Sequence, residues 1–152
     1  FYGCKAMTIP PDTSSWDTSR VTSMGGMFYA CDAMTIPPDT SSWDMSNVMN
    51  MSQMFYSCQA MTTPPDTSSW DTSNVTNMRE MFCSCQAMTE LDISSFDTSN
   101  VTNMSNMFNS CSKLSAVTLG ENFSFKGNGS TSATLSTPPS TTTTGKWINL
   151  DK

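Results

Sequence analysis

One phrase recurs four times in this sequence, and the repetition limits the folds that the chain can adopt. The phrase is DTSSWDTS at residues 12–19 and 66–73, DTSSWDMS at 39–46 and DISSFDTS at 92–99. A second phrase, FxxC, keeps the same phase, and its phenylalanines are Phe1, Phe28, Phe55, Phe82 and Phe108. Their spacing is constant to within a single position. A fixed period in the range of about 20–50 residues is typical of stacked repeats, each of which buries its apolar face only against its neighbours.

Two hydrophobic periods alternate within each repeat. SNVTNMREMFCSC places Val75, Met78, Phe82 and Cys85 at offsets 0, 3, 7 and 10, which is one face of a short helix. The stretches MTELDI and LSAVTL instead alternate apolar and polar residues, as a strand does. We therefore predict an α/β repeat solenoid over residues 1–119, with four to five repeats coiling in a right-handed sense and each contributing a short parallel strand and a short helix.

The first three repeats depart from the strand pattern, because they carry two consecutive prolines. Two adjacent prolines cannot both lie in a central hydrogen-bonded ladder, since each lacks a backbone N–H. We expect a bulge or a polyproline-like step, with any strand short, at Pro10-Pro11, Pro37-Pro38 and Pro64-Pro65.

The composition changes after residue 119, and residues 120–152 are predicted to form a small C-terminal β cap. Gly127, Asn128 and Gly129 are typical of a hairpin turn, which would close the open end of the stack. The Thr/Pro-rich segment 136–144 is expected to be extended. Trp147, Ile148 and Leu150 would then dock back as a last strand or begin a following module.

The segments DTSNVTNMREMFCSCQAMTELDISSF and DTSNVTNMSNMFNSC closely resemble the BspA-like leucine-rich-repeat superfamily, in particular its branch of roughly 26-residue repeats. The resemblance covers residues 1–119, and its strand pattern L-x-x-L-x-L is matched by Met88, Leu91 and Ile93. It implies a secreted, anchored protein of the bacterial cell surface that adheres to host or neighbouring cells. It supplies no catalytic residues. The double prolines depart from the family's strand pattern.

Charge and composition exclude several functions. The net charge is −6 and the seven Lys and Arg residues are scattered, so no basic patch exists for nucleic acid. Histidine is absent, which removes the commonest general base and metal ligand. No apolar run is long enough for a membrane helix, so we expect no membrane insertion in this segment. The chain opens on Phe1 inside a repeat, and we expect a fragment whose targeting segments lie elsewhere.

Five cysteines occupy equivalent positions on the predicted helix face. They are Cys4, Cys31, Cys58, Cys85 and Cys111. These cysteines could form disulfides between repeats or bind a row of metal ions. However, an odd number of cysteines cannot all pair, and the spacing typical of metal ligands is absent. We favour a row of small buried thiols. Cys83 falls outside the column, at the position of Tyr2, Tyr29 and Tyr56, and is expected to be more exposed.

The chain has fourteen methionines, and all but Met45 fall in repeating columns, where they are expected to fill the core. An aromatic column comprises Trp16, Trp43, Trp70 and Phe96. Exposed, it would stack on sugar rings; buried, it would fill the turn after the strand. Phe96 favours burial, because one position accepts either ring.

Two aspartate rows complete the repeat. Asp17, Asp44, Asp71 and Asp97 follow the aromatic column and are expected to set a turn by accepting backbone N–H bonds two residues on. The other row alternates with apolar residues and is expected on the exposed sheet face. With the threonines before it, that row forms our candidate binding residues: Thr8, Asp12, Thr35, Asp39, Thr62, Asp66, Thr89, Glu90 and Asp92. Calcium is a minority hypothesis, because no D-x-D-x-D-G loop is present; we expect no cofactor and no resident metal.

The main functional hypothesis is a non-catalytic, adhesin-type module that recognises a host or neighbouring-cell surface protein through this repeat face. A glycan-binding module and a structural spacer or stalk of a larger surface protein are the alternatives. An enzyme is disfavoured because catalytic sites are singular, whereas nearly every carboxylate here has copies. An ice-binding array is remote, because the T-x-T pattern is absent.

Overall fold

Equivalent residues of successive repeats lie side by side. The computed structural model describes residues 1–125, in which repeats 1 to 4 (1–27, 28–54, 55–81 and 82–107) stack in sequence order and residues 108–125 begin a fifth. Isolated parallel bridges join Ser23 to Asn50, Asn50 to Asn77, and Asn77 to Asn103. Each repeat therefore covers the next in register.

Two strands are formed, and both lie at the C-terminal end of the described stack. Strand β1 is Glu90–Ile93 and strand β2 is Ala116–Leu119. They pair in parallel with Glu90 opposite Ala116 and Ile93 opposite Leu119. The equivalent segments of repeats 1 to 3 carry Pro-Pro and contain no strand, because two donors of the ladder are missing there.

The predicted α/β repeat solenoid is wrong, because residues 1–125 contain no helix and only these two short strands. The segments predicted as helices are chains of tight turns whose backbone N–H groups alternate between two kinds of partner. The N–H of Met27 closes a turn onto the carbonyl of Met24 (3.2 Å), whereas the N–H of Phe28 reaches the carbonyl of Met54 in the next repeat (2.9 Å). Bonds to residue i−4, which define an α-helix, are replaced by bonds between repeats.

Residues with a left-handed backbone divide these turns. One position precedes each column cysteine, and a second precedes each Met-Phe pair. The non-glycine members are Ala30, Ser57, Ser84 and Ser110 at the first position and Gln53, Glu80 and Asn106 at the second, with φ between 53° and 64°. Gly3 and Gly26 hold the same two positions in the first repeat, with φ of 75° and 64°. A left-handed residue cannot be part of a right-handed helix, so every predicted helix is interrupted twice.

The core is a set of parallel ladders built from identical side chains. Phe1, Phe28, Phe55, Phe82 and Phe108 stack with successive ring centroids 5.4, 5.6, 5.8 and 6.2 Å apart. Methionines flank this phenylalanine ladder. Met45, which stood outside the columns, is buried in the core, whereas Met49 is 53% exposed. Met45 remains outside the methionine columns, because the equivalent positions are Thr18, Thr72 and Thr98. The expectation that Met49 fills the core is wrong.

Residues 120–125 continue the stack. The carbonyl of Asn122 accepts from the backbone N–H of Thr98, and Phe123 and Phe125 meet edge to face against the core. The predicted hairpin at Gly127–Gly129, the Thr/Pro-rich segment and Trp147 to Leu150 lie outside the described residues. Across the described part of the chain, no helix is long and apolar enough to cross a membrane.

Candidate binding face

The first aspartate row forms a regular series of Asx turns. Each carboxylate accepts a hydrogen bond from the backbone N–H two residues later, which fixes the side chain against its own turn. The bonds join Asp12 to Ser14 (2.9 Å), Asp39 to Ser41 (3.0 Å), Asp66 to Ser68 (3.0 Å) and Asp92 to Ser94 (2.9 Å). In the first two, the serine hydroxyl donates to the same oxygen at 2.7 Å.

The same turn is built at two further positions of the repeat. Asp17, Asp44, Asp71 and Asp97 accept from the N–H groups of Ser19, Ser46, Ser73 and Ser99 at 2.8–3.1 Å. Asn50, Asn77 and Asn103 accept in the same way from Ser52, Arg79 and Ser105. The sequence indicated a turn role for the second row alone, but all three rows have it. A carboxylate and a carboxamide therefore serve this turn equally.

Buried threonines join the first aspartate row across the repeats. Thr13 donates to the backbone carbonyl of Asp39, and Thr40 donates to that of Asp66 at 2.7 Å. Thr67 does the same to Asp92 at 2.7 Å. Each aspartate of repeats 2 to 4 is thus held at its backbone by the preceding repeat and at its carboxylate by its own turn.

These hydrogen bonds keep the carboxylates charged. Bonds from the hydroxyl and the N–H of Ser41 lower the pKa of Asp39, although its neighbours Asp12 and Asp66 oppose the shift. The bonds from Ser14 and Ser68 likewise lower the pKa of Asp12 and Asp66. For these three aspartates, the serine hydrogen bonds outweigh the effects that oppose the shift, and the charged form is favoured.

All nine candidate residues are solvent-exposed. We name the surface that they occupy, at 8–12, 35–39, 62–66 and 89–92, the Thr/Asp face. Backbone bonds run along it from Thr35 to Thr8 and from Thr62 to Thr35, both 3.1 Å. In β1 the side chains alternate, so that Glu90 and Asp92 point outward while Leu91 and Ile93 are buried.

The apolar part of this face was not predicted from the sequence. Ile9 is 68% exposed and Ile36 is 46% exposed, each directly after a candidate threonine. The sequence signal was present, because an isoleucine precedes the double proline in two repeats while the third has Thr63. The face thus combines isoleucines at its N-terminal end with carboxylates along its length.

Repeats 3 and 4 enclose a concavity of about 240 Å³ on this surface. Its lining includes Pro64, Pro65, Asp66 and Ser68 from repeat 3 and Asp92 and Ser94 from repeat 4. The concavity occurs where the last proline step meets the first true strand, and it brings two of the predicted site carboxylates to one place. The remaining candidates are distributed along the face rather than gathered around a centre.

Within residues 1–125, no group of three or more His, Cys, Asp or Glu side chains is arranged to hold an ion. Each aspartate of the Thr/Asp face forms an Asx turn, one in each repeat.

The cysteine column is a ladder of free thiols. The thiols of Cys31, Cys58, Cys85 and Cys111 donate to the carbonyls of Phe1, Phe28, Phe55 and Phe82 in the preceding repeat, at 3.0–3.3 Å. Cys4, in the first repeat of the sequence, is exposed. The expectation that Cys83 is more exposed is wrong, because it is 5% exposed. A thiol is much smaller than the tyrosine ring that fills this position in repeats 1 to 3.

The aromatic column lies in the core from repeat 2 onward. Trp43 and Trp70 are each 2% exposed and Phe96 is fully buried, whereas Trp16 at the end of the stack is half-buried. Trp16 stacks on Trp43 with centroids 6.0 Å apart, and Trp70 stacks on Phe96 at 6.1 Å. The buried indole N–H groups of Trp43 and Trp70 find no acceptor within residues 1–125. Trp43, Trp70 and Phe96 are therefore buried and not available to a sugar.

Comparison with known proteins gives one family. The family model described as "Mycoplasma protein of unknown function, DUF285" matches residues 35–124. The match is consistent with a BspA-like surface-protein repeat and does not by itself confirm the leucine-rich-repeat superfamily. No curated protein and no solved structure matches the chain.

Proposed function

We propose, from the premise that the chain belongs to the DUF285 family, that it is a non-catalytic binding module of a bacterial surface protein. In this proposal the Thr/Asp face recognises a protein on a host or neighbouring cell. The observation that carries the proposal is the exposed row of Asp12, Asp39, Asp66 and Asp92, locked by Asx turns beside exposed Ile9 and Ile36.

Preorganisation favours binding by this face. A surface whose side chains are already ordered loses less conformational entropy when a partner docks. The carboxylate of Asp39 is bonded to both the N–H and the hydroxyl of Ser41, so its orientation is set before any encounter. Such a row suits an extended partner.

Charge and exposed apolar surface define the partner's chemistry. No Lys or Arg occurs at 8–12, 35–39, 62–66 or 89–92, whereas each segment contains one aspartate and the last adds Glu90. A complementary partner presents Lys or Arg along its length and an apolar contact for Ile9 and Ile36. Charge of this kind chiefly raises the association rate and the specificity.

The alternatives use the same chain differently. Glycan recognition would depend on the threonine hydroxyls and carboxylates, because Trp43 and Trp70 are covered. A spacer would need only the stacked repeats and would leave the Thr/Asp face without a partner. An extracellular location on a bacterial surface is part of this proposal, and the period of the repeat supports kinship with leucine-rich repeats.

The decisive experiment compares two charge-matched double variants. Asp39→Asn with Asp66→Asn removes two charges from the Thr/Asp face, and Asp44→Asn with Asp71→Asn removes two from the second row. Asparagine preserves the turn, as Asn50, Asn77 and Asn103 demonstrate in this chain. Binding of the full chain is measured on an array of matrix proteins, cell-surface ectodomains and glycans, with and without calcium.

We expect a protein ligand whose binding weakens about tenfold or more in the first variant, as for charged contacts at an interface, and is nearly unchanged in the second. Equal effects of the two variants would contradict the assignment of the face. A hit confined to glycans would favour the first alternative. A folded chain that binds nothing on the array would favour the spacer.

A further inference from the structure

The chain's three tyrosines form a single stacked column at the edge of the repeats. Tyr2 and Tyr29 have ring centroids 4.3 Å apart with planes 3° from parallel, and Tyr29 and Tyr56 are 4.7 Å apart at 5°. We name these three rings the tyrosine ladder. Its spacing is tighter than that of the phenylalanine ladder, where the centroids are at least 5.4 Å apart. Cys83 and Asn109 occupy the next two positions of the column, so it contains two phenol pairs.

The tyrosine ladder differs from the interior ladders in its access to solvent. Tyr2 is 69% exposed and Tyr29 and Tyr56 are half-buried, whereas Phe28, Phe55 and Phe82 are fully buried. Phenols therefore occur only in the column whose edges meet water. Partial burial, together with the neighbouring phenols of Tyr2 and Tyr56, raises the pKa of Tyr29. Each phenol carries a hydroxyl hydrogen that an oxidant can remove.

We propose that the tyrosine ladder is a site of oxidative cross-linking, at which a peroxidase-type oxidant joins tyrosines of adjacent repeats through a carbon–carbon bond. Each of two neighbouring phenols gives up one electron and one proton and becomes a phenoxyl radical. The radicals couple at ring carbons ortho to the oxygens, and each coupled carbon then loses its hydrogen as a proton while the oxygen regains one. The pair loses two hydrogen atoms in total, and one hydrogen peroxide accepts them to give two waters.

Stacking favours coupling within one molecule. The two rings of a pair are already neighbours, so coupling does not wait for an encounter between chains. The exposed edge leaves room for the rings to swing out of the stack as the bond forms. Tyr29 lies between the other two and belongs to both pairs, which makes it the residue on which all coupling depends.

Such a bond would tie together repeats that have no other cross-link, because all six cysteines are free. It would close a loop one repeat long and restrict the unfolded chain, as a disulfide does. The cross-linked protein should therefore resist urea better than the untreated protein.

The test treats the full chain, in dilute solution, with horseradish peroxidase and hydrogen peroxide. Dityrosine fluorescence, gel mobility and mass spectrometry of proteolytic peptides report the yield and the partners. Tyr29→Phe removes the shared phenol and preserves the stacked ring. Tyr2→Phe and Tyr56→Phe each leave one pair intact. The wild type in urea supplies the same phenols without the ladder.

We expect dityrosine in the monomer, joining Tyr2 to Tyr29 and Tyr29 to Tyr56, and a higher urea midpoint after reaction. The signal should fall to background in Tyr29→Phe and in urea, and should come only from the remaining pair in each end variant. Monomeric dityrosine that persists in Tyr29→Phe, an equal yield in urea, or dityrosine only between chains would overturn the proposal.

Discussion

The buried thiols show how a single residue position links two repeats. Each column cysteine from Cys31 onward donates to a carbonyl of the repeat before it, so the thiol replaces a backbone donor in the stack. Burial raises the pKa of Cys85 well above its ordinary value and raises that of Cys111 to about 12. Because the thiolate is the reactive form, burial and protonation both make these groups inert.

Thiol labelling should therefore separate Cys4 from the other five cysteines. At neutral pH we expect a maleimide to add once to the folded chain, at exposed Cys4, and six times after unfolding in urea. Intact mass measured over time checks the count, and peptide mapping checks the site. Rapid addition at Cys83 would contradict its burial.

The residue scale also shows where sequence analysis succeeded and failed. The second aspartate row was predicted to accept N–H bonds two residues on, because Asp-x-Ser favours that turn. Asp12 and its equivalents accept the N–H of a serine two residues later in the same way. They were predicted as binding residues instead, because they were expected on the exposed sheet face. Cys83 was misjudged because the tyrosines at equivalent positions are partly exposed. Whether a small side chain at this position is buried depends on how its neighbours pack, and a single sequence does not show that packing.

At the scale of elements, left-handed residues decide between helix and turns. The apolar offsets of 0, 3, 7 and 10 fit one face of a helix, and they fit equally well a chain of tight turns that returns every few residues to the core. The sequence carried a discriminating signal in repeat 1, where Gly3 and Gly26 fill the two left-handed positions. Later repeats have Ala, Ser, Gln, Glu or Asn there, and these residue types hide the signal.

Replacing Ala30 by glycine should stabilise the stack. Ala30 has φ of 53°, where an L-residue is strained by about 1–2 kcal/mol and glycine is not. Glycine's greater freedom in the unfolded chain offsets part of the gain, so we expect Ala30→Gly to stabilise by about 0.5–1 kcal/mol. Urea unfolding measures the change.

The matched control is Ala33→Gly, because Ala33 lies three residues away with no positive φ. Ala33→Gly increases only the conformational freedom of the unfolded chain. It should therefore lower the free energy of unfolding by about 0.5–1 kcal/mol. Two variants that shift the urea midpoint in the same direction would contradict the role of the left-handed position.

For the whole molecule, the rows of Asx turns predict sensitivity to acid. Serine hydrogen bonds lower the pKa of Asp12, Asp17, Asp39, Asp44, Asp66 and Asp71 below the ordinary value of 3.8. A carboxyl group whose pKa is lower in the folded state binds protons more tightly when unfolded. Its contribution to stability is complete above 3.8 and is lost as the pH falls through the folded-state values.

We therefore expect the urea midpoint to be nearly constant from pH 7 to pH 5 and to fall below pH 4. Tryptophan fluorescence during urea unfolding, repeated across that range, gives the profile. The Asp39→Asn, Asp66→Asn variant keeps its turns without titrating at those positions and should show a smaller acid loss. A midpoint that rises in acid would mean that repulsion among carboxylates outweighs their hydrogen bonds.

The regular period of the sequence indicated that equivalent side chains lie next to one another, as the stacked rings and parallel bridges show. It could not indicate the path of the backbone between them. That path depends on whether each N–H finds its partner within the repeat or in the next one. The Thr/Asp face was accessible to prediction for a related reason, because β1 alternates strictly and sets the outward positions of its repeat.

The interface between repeats 1 and 2 and the interface between repeats 2 and 3 share the phenylalanine stacking, the parallel bridge and the Thr-to-Asp hydrogen bond, so these contacts set no fixed number of repeats. Removing or adding one internal repeat joins surfaces that already match, with the phenylalanine ladder and the Asx turns continuing across the new junction. At the level of the gene, unequal recombination between such similar units changes the protein in steps of one whole repeat. Each step would lengthen or shorten the Thr/Asp face by one aspartate while leaving its chemistry the same.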